Sequence, residues 1–126
     1  MKIVLDVMGG DLAPQAPIDG AINALEKTNN ETKIILIGDQ KTITQHLKGF
    51  SSPRLSFYHA SESIDTSDRA SKVVKSKPDS SMVRGLNLVK EKKADAFISA
   101  GNTGAQMAVS TLLLGRIPHV KRPALS

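Results

Sequence analysis

Apolar residues along the chain alternate between short continuous runs and stretches where they recur every three or four positions. Lys2 to Val7 is such a run, read as a first strand buried on both faces, and it stops at the turn Met8-Gly9-Gly10-Asp11. Pro14 and Pro17 then suit a first helical turn, and Ile18, Ala21, Ile22 and Leu25 follow at i, i+3, i+4 and i+7 until Asn29-Asn30. Lys33 to Ile37 is a second strand. Gly38-Asp39 leads from it into a short helix in which Ile43 and Leu47 share a face and Gly49 is the stop, with Asp39 as its cap. Leu55 to Ala60 is a third strand, and the polar stretch Ser61 to Ser71 is a loop. A further helix opens at Pro78-Asp79-Ser80-Ser81, carries Met82, Leu86 and Val89 on one side, and ends in Lys90-Glu91-Lys92-Lys93, basic as a helix carboxyl end prefers. Ala94 to Ser99 is the fourth strand. After the turn Ser99 to Gly104, a helix from Ala105 carries Ala108, Val109, Leu112 and Leu113, with Gly115 as stop and Pro118 beyond. Strands separated by helices predict an α/β fold, a parallel sheet with flanking helices and right-handed crossovers. Ligands of such sheets bind outside the carboxyl ends of the strands, where both glycine turns are expected.

The stretch Ala96-Phe97-Ile98-Ser99-Ala100-Gly101-Asn102-Thr103-Gly104-Ala105 has the order of a phosphate cradle: strand, small-residue turn, helix start. Small residues let a ligand approach the backbone, and the unpaired N–H groups of a helix start favour an anion. Asn102 and Thr103 also suit simple helix capping.

Composition narrows the setting. With 126 residues and 40% hydrophobic content, the chain is sized for one α/β domain with its own core, without repeat, low-complexity tract or linker. The absence of cysteine excludes disulfides, thiolate metal sites and a cysteine acyl-enzyme within these residues, and fits a reducing, cytoplasmic compartment. The first strand reaches Asp6 too early for a signal-peptide core, and no run approaches the ~18 apolar residues of a membrane span. Lys and Arg total 17 against 12 Asp and Glu, a formal charge of +5. The excess lies in Arg69, Lys72, Lys75, Lys77, Arg84, Lys90, Lys92 and Lys93, against only Asp79 and Glu91. An acidic partner fits: a phosphate compound, an acidic carrier protein or an anionic membrane surface. Nucleic acid is disfavoured, since one Tyr, three Phe and no Trp leave little for base stacking.

Taken together, Met1-Lys2-Ile3 through Asp6-Val7-Met8-Gly9-Gly10-Asp11, Asp79-Ser80-Ser81-Met82, Ser99 to Ala105, Leu114-Gly115-Arg116-Ile117-Pro118 and Arg122-Pro123-Ala124-Leu125 resemble the PlsX family. These are the acyl-carrier-protein:phosphate acyltransferases of bacterial phospholipid synthesis. The resemblance runs in order over the whole chain. It implies transfer of an acyl group from acyl carrier protein to inorganic phosphate, giving an acyl phosphate. It also implies an isocitrate/isopropylmalate-dehydrogenase-like fold and a homodimer attached loosely to the inner face of the cytoplasmic membrane. Two departures stand out: Arg69-Ala70 replaces the family's basic residue followed by proline, and the sequence stops at Ser126 where the family continues for more than this length again. An amino-terminal portion is therefore expected, inactive by itself.

The implied chemistry needs a pocket for a phosphate dianion, stabilisation of an oxyanion and neutralisation of a leaving thiolate. The expected phosphate and substrate contacts are Gly101, Asn102, Thr103, Gly104 and Ala105, joined by Ser99, with Gly9, Gly10 and Asp11 as the facing wall. Lys77, Ser80 and Ser81 are candidates for a second anion contact, although capping alone explains the serines. Asp6 and Asp11 follow a strand, where an aspartate serves a turn or orients a cation or a lysine. His46, His59 and His119 stand singly without metal-ligand spacing, so no metal and no cofactor is expected. No catalytic base stands out. Two other readings remain: a nucleotide-binding dehydrogenase with Asp39 on a ribose, for which the Gly-x-Gly-x-x-Gly fingerprint is missing after the first strand, and a non-catalytic module that docks an acidic carrier.

Overall fold

Four parallel strands form one sheet in the order β3-β2-β1-β4, seen in a computed structural model that describes residues 1–65 and 67–124. Thr66 of the polar loop, and Leu125 and Ser126 at the end of the family resemblance, lie outside the described residues. The strands are β1 (Lys2–Asp6), β2 (Lys33–Gly38), β3 (Leu55–His59) and β4 (Ala96–Ile98). The helices are α1 (Gln15–Lys27), α2 (Gln40–Leu47), α3 (Val73–Ser76), α4 (Ser81–Lys90) and α5 (Thr103–Leu114). The α/β reading and all four expected strands are present, with ends shifted by one or two residues.

The alternation of β2 divides the core. Ile34 and Leu36 meet Ile18, Ala21 and Leu25 of α1 and Ile43 of α2 on one face of the sheet. Ile37 points the other way with Val4, toward Leu88 of α4 and Ala94. A third cluster, of Val73, Met82, Val83, Leu86, Ala105 and Val109, joins α3, α4 and α5. The chain winds from β1 through β2 to β3 with its helices on one face, then returns past both strands to lay β4 on the other side of β1. With right-handed crossovers, that reversal puts the later helices on the opposite face. Phe97 and Val4 leave no room for a side chain at residue 85: a Cβ on Gly85 would come within 2.4 Å of the Phe97 ring, so α4 lies unusually close to β4.

Two features differ from expectation. The single turn α3 was not predicted; its anchor Val73 is completely buried, but one apolar pair among lysines has no period to read. In α5, Ala105 and Val109 are buried and Leu113 packs against them, whereas Leu112 is 65% exposed. The apolar residues of this helix, from Ala105 to Leu114, are spread around its circumference among a few uncharged polar ones, so periodicity could not select the face turned inward.

Candidate functional site

The strand order reverses between β1 and β4, which is where open α/β sheets bind their ligands. Leu5 pairs with Ile98, so Asp6 and Ser99 leave the ladder side by side. The Asp6 side chain is buried, with the residue 3% exposed. Its Oδ1 accepts the Met8 N–H at 2.9 Å and its Oδ2 accepts the Ser99 hydroxyl at 2.8 Å. The Ser99 oxygen in turn accepts the Gly101 N–H at 3.1 Å. One carboxylate thus ties both glycine turns together.

Their contact explains the first glycines. A Cβ at Gly9 would lie 2.8 Å from Ser99 Oγ, 2.9 Å from Asp6 Oδ2 and 3.0 Å from the Gly101 nitrogen. Gly10 has φ +101 and backs onto Ala100, a conformation that L side chains rarely adopt. Beside this contact opens a cleft of about 510 Å³, whose polar lining is Asp6, Gly9, Gly10, Asp11 and Ser99 and whose apolar lining includes Leu12 and Ile98. Asp6, which the sequence offers as a turn aspartate or as a group orienting a cation or a lysine, instead bonds Met8 and Ser99, and this tie between the turns is what sequence reasoning missed. An acid set between Leu5 and Val7 at the end of a buried strand was the available signal.

The second part of the expected site begins three residues on. Asn102 caps α5: its Oδ1 accepts the Ala105 N–H at 3.0 Å and its carbonyl accepts the Gln106 N–H. Ala105 is completely buried, so it anchors the helix, and its N–H belongs to the cap. The N–H groups of Asn102, Thr103 and Gly104 have no partner among the described residues. Thr103 and Gly104 are exposed. A Cβ on Gly104 would meet only Asn102 Oδ1, at an ordinary 3.5 Å. Packing therefore does not require this glycine. Asn102, Thr103 and Gly104 do not line the glycine-turn cleft; Thr103 instead opens a second groove of about 560 Å³ that runs past Met107 and Leu114 to Ile117 and Val120.

Lys77, Ser80 and Ser81 lie further from solvent than a ligand contact would suggest. Ser80 is completely buried and caps α4 by accepting the Val83 N–H at 3.2 Å, and Ser81 is buried beside it. Lys77 Nζ donates to Asp68 at 2.7 Å and to the Ser63 carbonyl at 2.8 Å, with Asp65 at 3.6 Å. The hydrogen bond from Lys77 holds the Asp68 carboxyl below its ordinary range, and the same bond raises the Lys77 ammonium. Asn102 Nδ2 reaches the Asp65 carbonyl at 3.4 Å, so the polar loop is tied to the start of α5. At the loop's beginning, Asp79 accepts the Ser61 N–H at 3.0 Å, the Ser61 hydroxyl and the Arg84 Nε–H. The Ser61 hydroxyl, then its N–H, then Arg84 hold Asp79 below the usual carboxylate range.

The fold splits the basic run. Lys77 stands with α3 near the start of α5, at the carboxyl ends of the strands. Lys92 and Lys93 cluster with Lys2 and Lys33 at the amino ends. Asp39 caps α2 through the Thr42 N–H and hydroxyl, and those bonds lower its carboxyl. The three histidines stay apart, and no group of metal-binding side chains forms among the described residues.

A family model described as "Fatty acid synthesis protein" matches residues 1–126. Similar proteins carrying the name "Phosphate acyltransferase" include that of Chlorobaculum parvum, 48% identical over 99% of this chain and 37% of its own length. Those of Halothermothrix orenii, 48% identical, and Alkaliphilus oremlandii, 49% identical, are each matched by 100% of this chain over 38% of their length. The chain thus spans a little over a third of the relatives it matches.

Proposed function

The chain belongs to the family of fatty acid synthesis proteins, and on that premise we propose that it is a phosphate acyltransferase. It moves a fatty acyl group from acyl carrier protein to inorganic phosphate and yields an acyl phosphate for phospholipid synthesis. The observation that carries the reading is the row of partnerless N–H groups at Asn102, Thr103 and Gly104, beside the switch point, with a glycine that packing does not explain. The names of the relatives support it.

In this reading the N–H groups hold hydrogen phosphate at the start of α5, and the cleft between the glycine turns takes the thioester end of the donor. A phosphate oxygen forms a bond to the thioester carbonyl carbon, the carbon–sulfur bond breaks, and the proton of hydrogen phosphate ends on the leaving thiolate. Fixed donors aimed at charge that develops in such a step are worth more than the same donors in water. Lys77 serves as a second anion contact once the polar loop yields it. The reading includes a cytoplasmic homodimer at the inner membrane face, an isocitrate/isopropylmalate-dehydrogenase-like fold, and residues 1–126 as one amino-terminal domain. Asp39 caps α2 through its Oδ2, and with the Gly-x-Gly-x-x-Gly fingerprint missing after β1 no specific observation favours the dehydrogenase alternative.

The test is release of free carrier thiol from acyl carrier protein by the full-length protein, with and without phosphate. Phosphate-dependent release with an equal yield of acyl phosphate is expected. Release that ignores phosphate, or hydride transfer to a nicotinamide, overturns the assignment.

A further inference from the structure

We infer that Asp6 is the positioning residue of the phosphate turn, acting through Ser99 on the Gly101 amide and through Met8 on the facing glycine pair. The inference rests on the phosphate reading above and adds a residue to it. A buried carboxylate is costly, and beside an anion site it also repels the ligand. Its presence at the end of β1 therefore asks for a compensating role, and the hydrogen bonds supply one. Because an ionised carboxylate only accepts, it fixes the direction of the Ser99 proton at 2.8 Å. The Ser99 lone pair is then left for the Gly101 N–H at 3.1 Å, which sets the peptide from which Asn102, Thr103 and Gly104 follow. The second carboxylate oxygen does the same for Met8 at 2.9 Å. Gly9 fits between these atoms only because it has no side chain. Both walls therefore take their spacing from one group.

Asp6→Asn keeps the shape but reverses one bond. The new amide nitrogen would donate to Ser99 Oγ, and the Ser99 proton would turn away from residue 6. Ser99→Ala removes the link without adding bulk. Kinetics of the full-length protein, with phosphate and acyl carrier thioester varied separately, read the consequence. Each variant should raise the phosphate KM roughly tenfold, the size expected for losing one charge-assisted contact geometry, and raise the thioester KM by clearly less, since Asp6 and Ser99 also line the cleft assigned to the donor. The double variant should be no worse than either single one, because both break the same chain of bonds. An unchanged or lowered phosphate KM for Asp6→Asn overturns the inference, since repulsion would then be the dominant effect of the carboxylate. An equal rise in both KM values also overturns it, because that marks a general loss of structure. Gly104→Val in the same assay separates the two levels. If it raises the phosphate KM while Asp6→Asn does not, only the positioning role falls; if neither does, the phosphate site itself lies elsewhere.

Discussion

Gly104→Val tests the cradle directly, because the structure predicts opposite consequences for fold and ligand. A Cβ at this position meets a single atom, Asn102 Oδ1, at 3.5 Å, an ordinary contact. Glycine in a helix is about 1 kcal/mol less favourable than alanine, and valine recovers part of that, so folding should shift by no more than about 0.5 kcal/mol, toward stability. The ligand fares differently. An isopropyl group beside the Thr103 and Gly104 amides occupies the space through which an anion approaches. Loss of one charge-assisted hydrogen bond, about 1.5–3 kcal/mol, corresponds to a rise in phosphate KM of roughly tenfold to a hundredfold. Thiol release should be followed at saturating carrier thioester over a phosphate series, with thermal unfolding recorded on the same samples. A phosphate KM within about twofold of the parent, with unfolding unchanged, refutes the cradle. A sharp fall in melting temperature refutes the packing argument instead.

The divided basic run gives a second prediction: Lys72→Glu with Lys75→Glu should slow association with the acidic carrier at low salt, whereas Lys92→Glu with Lys93→Glu at the amino edge should leave it unchanged, since charges beyond a Debye length of about 8 Å are screened at physiological ionic strength. Stopped-flow association across a salt series checks both, and equal slowing by the two pairs would sink the spatial argument. Acid should loosen the polar loop. Asp68 and Asp79 have folded pKa values below their ordinary ones, so the stability they contribute is complete above about pH 4 and is lost as pH falls toward the lowered values. The protection of the Ser61 amide against hydrogen exchange, taken relative to the intrinsic exchange rate at each pH, should fall over that range in the parent and already be low at neutral pH in Asp79→Asn; protection in the parent that does not change with pH would refute it. Gly20 and Gly85 should respond to alanine in opposite directions. At Gly20 nothing lies within 4 Å, and helix propensity should add about 1 kcal/mol; at Gly85 the Phe97 ring is at 2.4 Å, and overpacking should cost about 1–3 kcal/mol. Chemical denaturation midpoints read both.

The sequence by itself determined the elements and their caps, because these depend on neighbours in the chain. The continuous apolar run Ile34 to Ile37, the i, i+3, i+4 and i+7 spacing from Ile18 to Leu25, and Asp39, Ser80 and Asn102 placed one residue before a helix all act within a few positions. The parallel order followed, since helices between strands allow few alternatives. Tertiary structure decided what depends on residues far apart in number. Asp6 and Ser99 are separated by 93 positions, and only the return of the chain to β1 makes them hydrogen-bonding partners. The same return carries the basic stretch Arg69 to Lys93 from the carboxyl ends of the strands to their amino ends, because α4 runs from one to the other. It also turned Val109 inward and Leu112 outward in a helix whose apolar residues lie on all sides, a choice that belongs to the neighbours α5 meets. Gly9 and Gly104 look alike in the sequence, but one is glycine because another turn presses on it and the other has open space before it. Local physics can place a glycine in a turn; only the packed neighbours show whether protein or ligand needs it there.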